Sequence, residues 1–313
     1  MEKAAQCTCL KASWGGNGIV FSGPKHIRFC IEGQPKTQVV VEQELKRIIT
    51  ISADSEIAAS HLHSVFSRVE RLLMLFDGRF FPLETLEFTG ATETPEHMLK
   101  AYAQHCLIGR LSYFESSDFC KSTANKLIDF SDVLSGNLYC VWDDILDELD
   151  IVHQVFLYSS SNNGLPVDIK SAFLIEVAEP LVEIVKDRKH CFSNLTPGEP
   201  GTSLRKCLDA LICKYGEDVF ANELSANHDA FLQTLVNSRI RIMHIKRAQR
   251  GYHFDGPESI LYSAKMSLLY RKVILELLGI EQSQYAGSLA QCIRYWNQWN
   301  DILPKFEYKL KNM

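Results

Sequence analysis

The chain has 313 residues, a formal net charge of −5, 46% hydrophobic and 23% charged residues, a balance that excludes a disordered polymer and a membrane-embedded one. No apolar run exceeds five residues, as in Leu72–Phe76, far short of the roughly 20 that a bilayer span needs, and the length predicts two domains. The N-terminal MEKAAQCTCLKASWGGNGIV has no apolar block of the kind a secretory leader carries, so a cytoplasmic protein with reduced cysteines is expected.

GIVFSG, HIRFCIEG, TQVVVEQ and LKRIITIS are short β-branched or aromatic runs separated by Gly, Pro, Lys and Asn, the pattern of hairpin strands. A helix follows, with Ser52 or Asp54 as its cap, Ile57, His61, Val65, Val69, Leu72, Leu73 and Phe76 at helical spacing, and Gly78 as its stop. RFFPLETLEFTG reads as a further strand pair or an extended edge, because Pro82 cannot donate to a ladder. Residues 1–120 therefore form a strand-containing domain. From 121 onward the period becomes helical, with helices expected near 121–130, 138–160, 166–189, 202–215, 228–250, 257–279 and 283–300, punctuated by SSSNNGLP and NLTPGEPG. The fold class is α+β, a strand-rich N-terminal domain followed by an all-α domain over 121–313.

Neither metal nor cofactor is expected. The ten cysteines are scattered, and the close pair Cys7 and Cys9 has no further ligand before Cys30. In WDDILDELD the carboxylates of Asp143, Asp144, Asp147, Glu148 and Asp150 alternate with Ile145, Leu146 and Leu149, which describes the solvated face of an amphipathic helix better than a two-metal site. Glu176, Glu179 and Glu183 make a similar polar stripe. No Gly-rich phosphate loop or nucleophile elbow occurs.

One stretch stands apart. NSRIRIMHIKRAQRGYHF, residues 237–254, places Arg239, Arg241, Lys246, Arg247 and Arg250 around His244, with no carboxylate between Asp229 and Asp255. A local cationic field in an acidic chain points to an anionic partner. On a helix, Leu232, Leu235, Val236, Ile240, Ile242 and Met243 share one apolar arc, and Arg239 lies inside it, where a guanidinium needs a partner or a wet cleft. Asn237, Arg241 and His244 fall on an adjoining stripe.

Arg239-Ile240-Arg241-Ile242-Met243-His244 resembles the R-x4-H signature of the HEPN superfamily. With PESILYSAKMSLLYRKVILELLGI following and a strand-rich domain preceding, the chain resembles ApeA-like HEPN proteins, a bacterial group associated with abortive phage defence. It differs from the family pattern at Ile240, where a polar residue commonly follows the arginine, and at Lys246, where some relatives carry tyrosine.

The resemblance implies a HEPN-like helical bundle and metal-independent endoribonuclease activity of a toxin or antiviral-defence effector. The ribose 2′-OH attacks the adjacent phosphate and leaves a 2′,3′-cyclic phosphate. His244 is the acid/base candidate and Arg239 the group that holds the phosphate. Arg241, Lys246, Arg247 and Arg250 would contact flanking phosphates, with Asn237 and Tyr252 completing the RNA-binding set. An i, i+5 pair sits about 140° apart on an ideal helix, so a homodimer through the motif helix is expected to bring Arg239 and His244 together. Partners are thus RNA, a second copy, and a phage-derived or regulatory partner of the N-terminal domain. The alternative is a catalytically silent HEPN module that binds RNA or a protein.

Overall fold

The computed structural model describes residues 5–14, 23–33, 35–44, 46–78, 83–110, 125–160, 165–199, 202–244, 251–298 and 310–312. The chain divides into two units, Met1–Asp144 with Ser161–Asn163, and Ile145–Ser160 with Gly164–Met313.

The first unit is built on a five-stranded antiparallel sheet, ordered β2-β3-β4-β1-β5. Its strands are β1 (Gln6–Trp14), β2 (Lys25–Ile31), β3 (Thr37–Gln43), β4 (Arg47–Ala58) and β5 (Leu83–Thr89). In β3, Thr37, Val39, Val41 and Gln43 are buried and their neighbours less so, the period of two that a half-covered sheet imposes. β1 is a strand that the sequence reading did not anticipate. A register shift between Cys7 and Cys9 breaks its alternation, so Cys7, Leu10, Ala12 and Trp14 line the core without a regular pattern. Burial pushes the Cys7 thiol up to about 11, which leaves it an inert core group. The GIVFSG segment lies outside the described residues except for Gly23.

Helix α1 (Ala59–Asp77) begins later than its expected caps. β4 continues through Ser52 and Asp54 to Ala58, which caps the helix without a side-chain bond. Gly78 ends it as expected, in the left-handed region at φ 67°, with its N–H donating to the Met74 carbonyl. Leu62, Val65, Phe66, Val69, Leu72 and Leu73 are buried, and Phe66 stacks on Trp14 of β1 at 5.6 Å. β5 is a single edge strand paired to β1. Helix α2 (Glu96–Arg110) packs beside it through Leu99, Ala103 and Cys106, a stripe too narrow for sequence periodicity to reveal.

Short helix α3 (Phe130–Val133) and the start of α4 (Gly136–Ser160) also belong to the first unit. Trp142 donates its indole N–H to the Arg68 carbonyl at 2.8 Å, Tyr139 lies against Phe29, and a Cβ on Gly136 would stand 2.6 Å from the Cys30 carbonyl oxygen. These contacts move the division from the expected 120/121 to Asp144/Ile145. The helix expected over 121–130 does not form at 126–129, which are irregular, and 121–124 lie outside the described residues.

The second unit is helical, so the whole is α+β. It comprises the rest of α4, α5 (Val167–Glu176), α6 (Ala178–Lys189), α7 (Leu204–Leu211), α8 (Ala221–Met243), α9 (Pro257–Leu277) and α10 (Ala286–Asn297). The single helix expected over 166–189 breaks at Val177 because Pro180 has no N–H to give the Glu176 carbonyl. α7 runs into a π-helical turn, Ile212–Gly216. α9 is the central element: Leu261, Tyr262, Leu268, Leu269, Tyr270, Val273, Ile274 and Leu275 are all buried, and α5 packs against both α9 and α8. Among the described residues no helix is long and apolar enough to cross a membrane.

Candidate functional site

The motif helix α8 spans Ala221–Met243, with an extended residue, Asn227, inside it. Its buried face differs from the expected arc. Phe231, Leu232, Thr234, Leu235, Asn237 and Ser238 are buried, whereas Val236, Ile240 and Ile242 are half-buried and Met243 is 38% exposed.

The polar members of that face fasten the returning chain. Asn237 accepts from Gln233 at 3.0 Å and donates to the Tyr252 carbonyl at 3.0 Å. Ser238 donates to the Thr234 carbonyl and accepts the Phe254 N–H at 2.8 Å. A Cβ on Gly251 would meet the Asn237 amide nitrogen at 2.3 Å, so the backbone approaches this side chain as closely as glycine allows. Tyr252 donates its hydroxyl to Glu258, and burial followed by that carboxylate pushes its pKa above the ordinary tyrosine value. The Asn237 amide, expected among RNA contacts, is therefore buried and bonded within the chain.

Arg239 is partnered. Its Nε and Nη2 donate to Oε2 and Oε1 of Glu176, the second bond at 2.7 Å, in a two-pronged pair between the C-terminal end of α5 and α8. Those bonds raise the guanidinium pKa, burial opposes the shift, and the charges of Glu176 and Glu179 add to it. Glu176 was expected to belong to a solvated stripe; the break at Val177 leaves it at a helix end, where it meets the arginine. No local signal connects two residues 63 positions apart.

Arg239 also reaches His244 in the same chain. Nη1 lies 3.0 Å from His244 Nε2. A guanidinium only donates, so Nε2 accepts, and in this arrangement the neutral ring carries its proton on Nδ1. The expected 140° separation does not apply because α8 stops at Met243. His244 is the capping residue, at φ −103° and ψ 5°, with its N–H still donating to the Ile240 carbonyl, and its ring reaches Arg239. His244 is exposed, and Arg239 and Glu176 are both half-buried, so the arginine lies between a carboxylate on one edge and the imidazole on the other.

Of the other expected site residues, Arg241 is half-buried with Nη1 3.9 Å from the Asp255 carboxylate. Lys246, Arg247 and Arg250 lie outside the described residues. The acidic run on α4 behaves as an amphipathic helix: Ile145, Leu146 and Leu149 are buried, while Asp143 pairs with Arg68 and Glu148 with Arg188.

Comparison of the chain with protein-family models, with curated proteins and with solved structures finds no match.

Proposed function

We propose that the chain is a metal-independent endoribonuclease of the HEPN type, acting as a toxin or phage-defence effector. The observation that carries this reading is the 3.0 Å approach of Arg239 Nη1 to His244 Nε2 at the exposed end of α8. It supplies a fixed cation and a proton acceptor side by side, the two groups that transfer from a 2′-OH to an adjacent phosphate requires. An arriving phosphate takes the Nη1 donor, which frees Nε2 to accept the 2′-OH proton. The protonated imidazole then returns a proton to the departing 5′-oxygen. Glu176 holds the opposite edge of the guanidinium and fixes its plane. Arg241, Lys246, Arg247 and Arg250 are assigned to flanking phosphates on the charge pattern.

A homodimer through α8 belongs to the same reading. Its support is the apolar strip of Ile240, Ile242 and Met243 beside the motif, half-buried to exposed in one chain. Since the Arg239–His244 pair forms within one chain, dimerisation adds RNA-binding surface and a second pair without being needed to complete the first.

A second reading, a silent HEPN module that binds RNA or protein, is favoured by one observation: two guanidinium nitrogens of Arg239 are already committed to Glu176. Incubation of the purified protein with total RNA in EDTA separates the two. Cleavage to 2′,3′-cyclic phosphate ends, abolished in His244→Ala, supports the nuclease; RNA binding without cleavage supports the silent module. Equal cleavage by wild type and His244→Ala removes the histidine from the chemistry.

A further inference from the structure

Among the described residues, Asp209, Cys213 and His228 bring one ligand atom each to within 4.8 Å of one another. All three belong to the second unit, and none takes part in the Arg239–His244 pair. We propose that these side chains form a binding site for a zinc-class divalent ion, with solvent in the fourth position.

The geometry is that of a tetrahedral site slightly contracted. Zinc holds sulfur at about 2.3 Å and nitrogen or oxygen at about 2.0 Å, which places a sulfur and an oxygen about 3.5 Å apart across a tetrahedral angle. Cys213 Sγ is 3.4 Å from Asp209 Oδ1. His228 Nε2 is 2.8 Å from the same oxygen, yet it makes no hydrogen bond and is shut off from solvent. Tetrahedral spacing needs a widening of about 0.5 Å there, within reach of a rotamer adjustment of side chains that are 41% and 45% exposed.

Two backbone irregularities aim the ligands. Asp209 and Cys213 lie four residues apart where α7 widens into the π-helical turn Ile212–Gly216, a rare departure that concentrates at functional sites. His228 follows Asn227, whose extended backbone (φ −169°, ψ 98°) interrupts α8 and whose side chain caps the next segment by accepting from Ala230 at 3.0 Å. The kink turns the first side chain of the new segment toward α7.

The donor set selects the ion. Thiolate, imidazole and carboxylate suit zinc and its borderline-soft neighbours; calcium and magnesium demand oxygen shells. A thiolate and a carboxylate balance the two charges of the ion, and Glu217 adds negative field at Cys213. Without metal, burial and then Asp209 keep the thiol protonated, so forming the S–metal bond releases one proton from Cys213 to solvent, while His228 binds as the neutral ring. The bound ion ties α7 to the kink of α8.

The test uses the full chain stripped with chelator and titrated with Co²⁺, whose tetrahedral thiolate complexes absorb in the near ultraviolet and visible. We expect one Co²⁺ per chain with a thiolate-to-metal band, displaced by Zn²⁺ and not by Mg²⁺ or Ca²⁺. Cys213→Ser, at an exposed position, should abolish the band with the circular dichroism unchanged. His228→Ala should weaken Zn²⁺ binding in calorimetry by more than the roughly 10- to 100-fold that outer-shell changes cost. Absence of the band up to millimolar Co²⁺, or a band that survives Cys213→Ser, overturns the site.

Discussion

Glu176 and Arg239 form a two-pronged ion pair in which the carboxylate takes the Nε–Nη2 edge of the guanidinium, with 2.7 Å between Oε1 and Nη2. Paired guanidinium donors of this kind also fit a phosphate. On the proposed nuclease reading, Glu176 both orients the arginine and holds donors that RNA would otherwise take. Glu176→Gln keeps the shape and removes the competing charge. Binding of a 2′-deoxy, uncleavable RNA should tighten by roughly threefold to tenfold, equivalent to about 1 kcal/mol. Single-turnover cleavage should slow by about tenfold or more as the guanidinium loses its fixed plane. Fluorescence anisotropy and quenched-flow cleavage measure the two halves separately, and weaker binding would show that Glu176 does not compete for the fork.

Asp129 gives the first unit an acid-sensitive joint. Burial pushes its carboxyl up, but bonds from Lys126 and Ser131 outweigh it and hold the pKa at about 2, against an ordinary 3.8. The folded state therefore favours the ionised form, and this stabilisation is complete above the ordinary carboxyl range and is lost as pH falls from about 4 to about 2. With solvent screening of a half-buried group, its size is about 1 kcal/mol. Asp129→Asn should lower stability at neutral pH by that order and flatten the acid limb of the stability curve, read by urea denaturation at successive pH values. An unchanged acid limb would show that the carboxylate is free of these partners in solution.

The parts of the fold that were legible in the sequence are those whose burial follows a simple period. β3 and β4 alternate, α1 carries a broad apolar face closed by Gly78, and each was recognisable. β1 was not, because its bulge scrambles the alternation. The motif showed that Arg239 needed a partner, yet the partner could not be read. Glu176 lies on another helix, in a stripe that looks solvated until Pro180 breaks the helix beside it. α8 ends at Met243 with His244 as its cap, and residues 245–250 of the helix expected over 228–250 lie outside the described residues. The pattern stays compatible with a helix past His244, and no glycine precedes Gly251 to stop it.

Arg47 at the start of β4 and Asp77 at the end of α1 form a buried pair, 4% and 7% exposed, with Nη1 2.6 Å from Oδ2. Gln43 accepts from Nε and Nη2 of the same arginine, and the ring of Phe130 lies 5.1 Å from its guanidinium carbon. Removal of Asp77 takes away the carboxylate bonded to this buried guanidinium. Asp77→Ala should cost about 3–5 kcal/mol, and a compensating Arg47→Met/Asp77→Leu pair much less. Urea unfolding followed by Trp14 fluorescence reports on this unit, since Trp14 stacks on α1. A cost below about 1 kcal/mol for Asp77→Ala would mean that water reaches the site.

The corresponding element of the second unit is the Lys265–Glu223 pair, 1% and 3% exposed, with 2.5 Å between Nζ and Oε1. Tyr262 donates to the same oxygen at 3.0 Å, and burial, then Glu223, raises its pKa well above the ordinary value. The other oxygen, Oε2, is buried without a hydrogen bond, so the carboxylate depends on the ammonium for its charge. Lys265→Met alone should cost about 3–5 kcal/mol, Glu223→Leu alone a similar amount, and the double variant less than their sum by about 2 kcal/mol or more. Alkali should act on the same network. The folded state keeps Tyr262 neutral where an unfolded tyrosine ionises near 10, so its contribution is intact below that pH and is lost as pH rises above it. Glu223→Gln retains an acceptor for the hydroxyl while removing the charge that opposes tyrosinate, so it should lower the pH at which Tyr262 titrates, followed by ultraviolet absorbance. A double variant whose cost equals the sum of the singles would show that lysine and glutamate act independently, with each solvated separately in the fold.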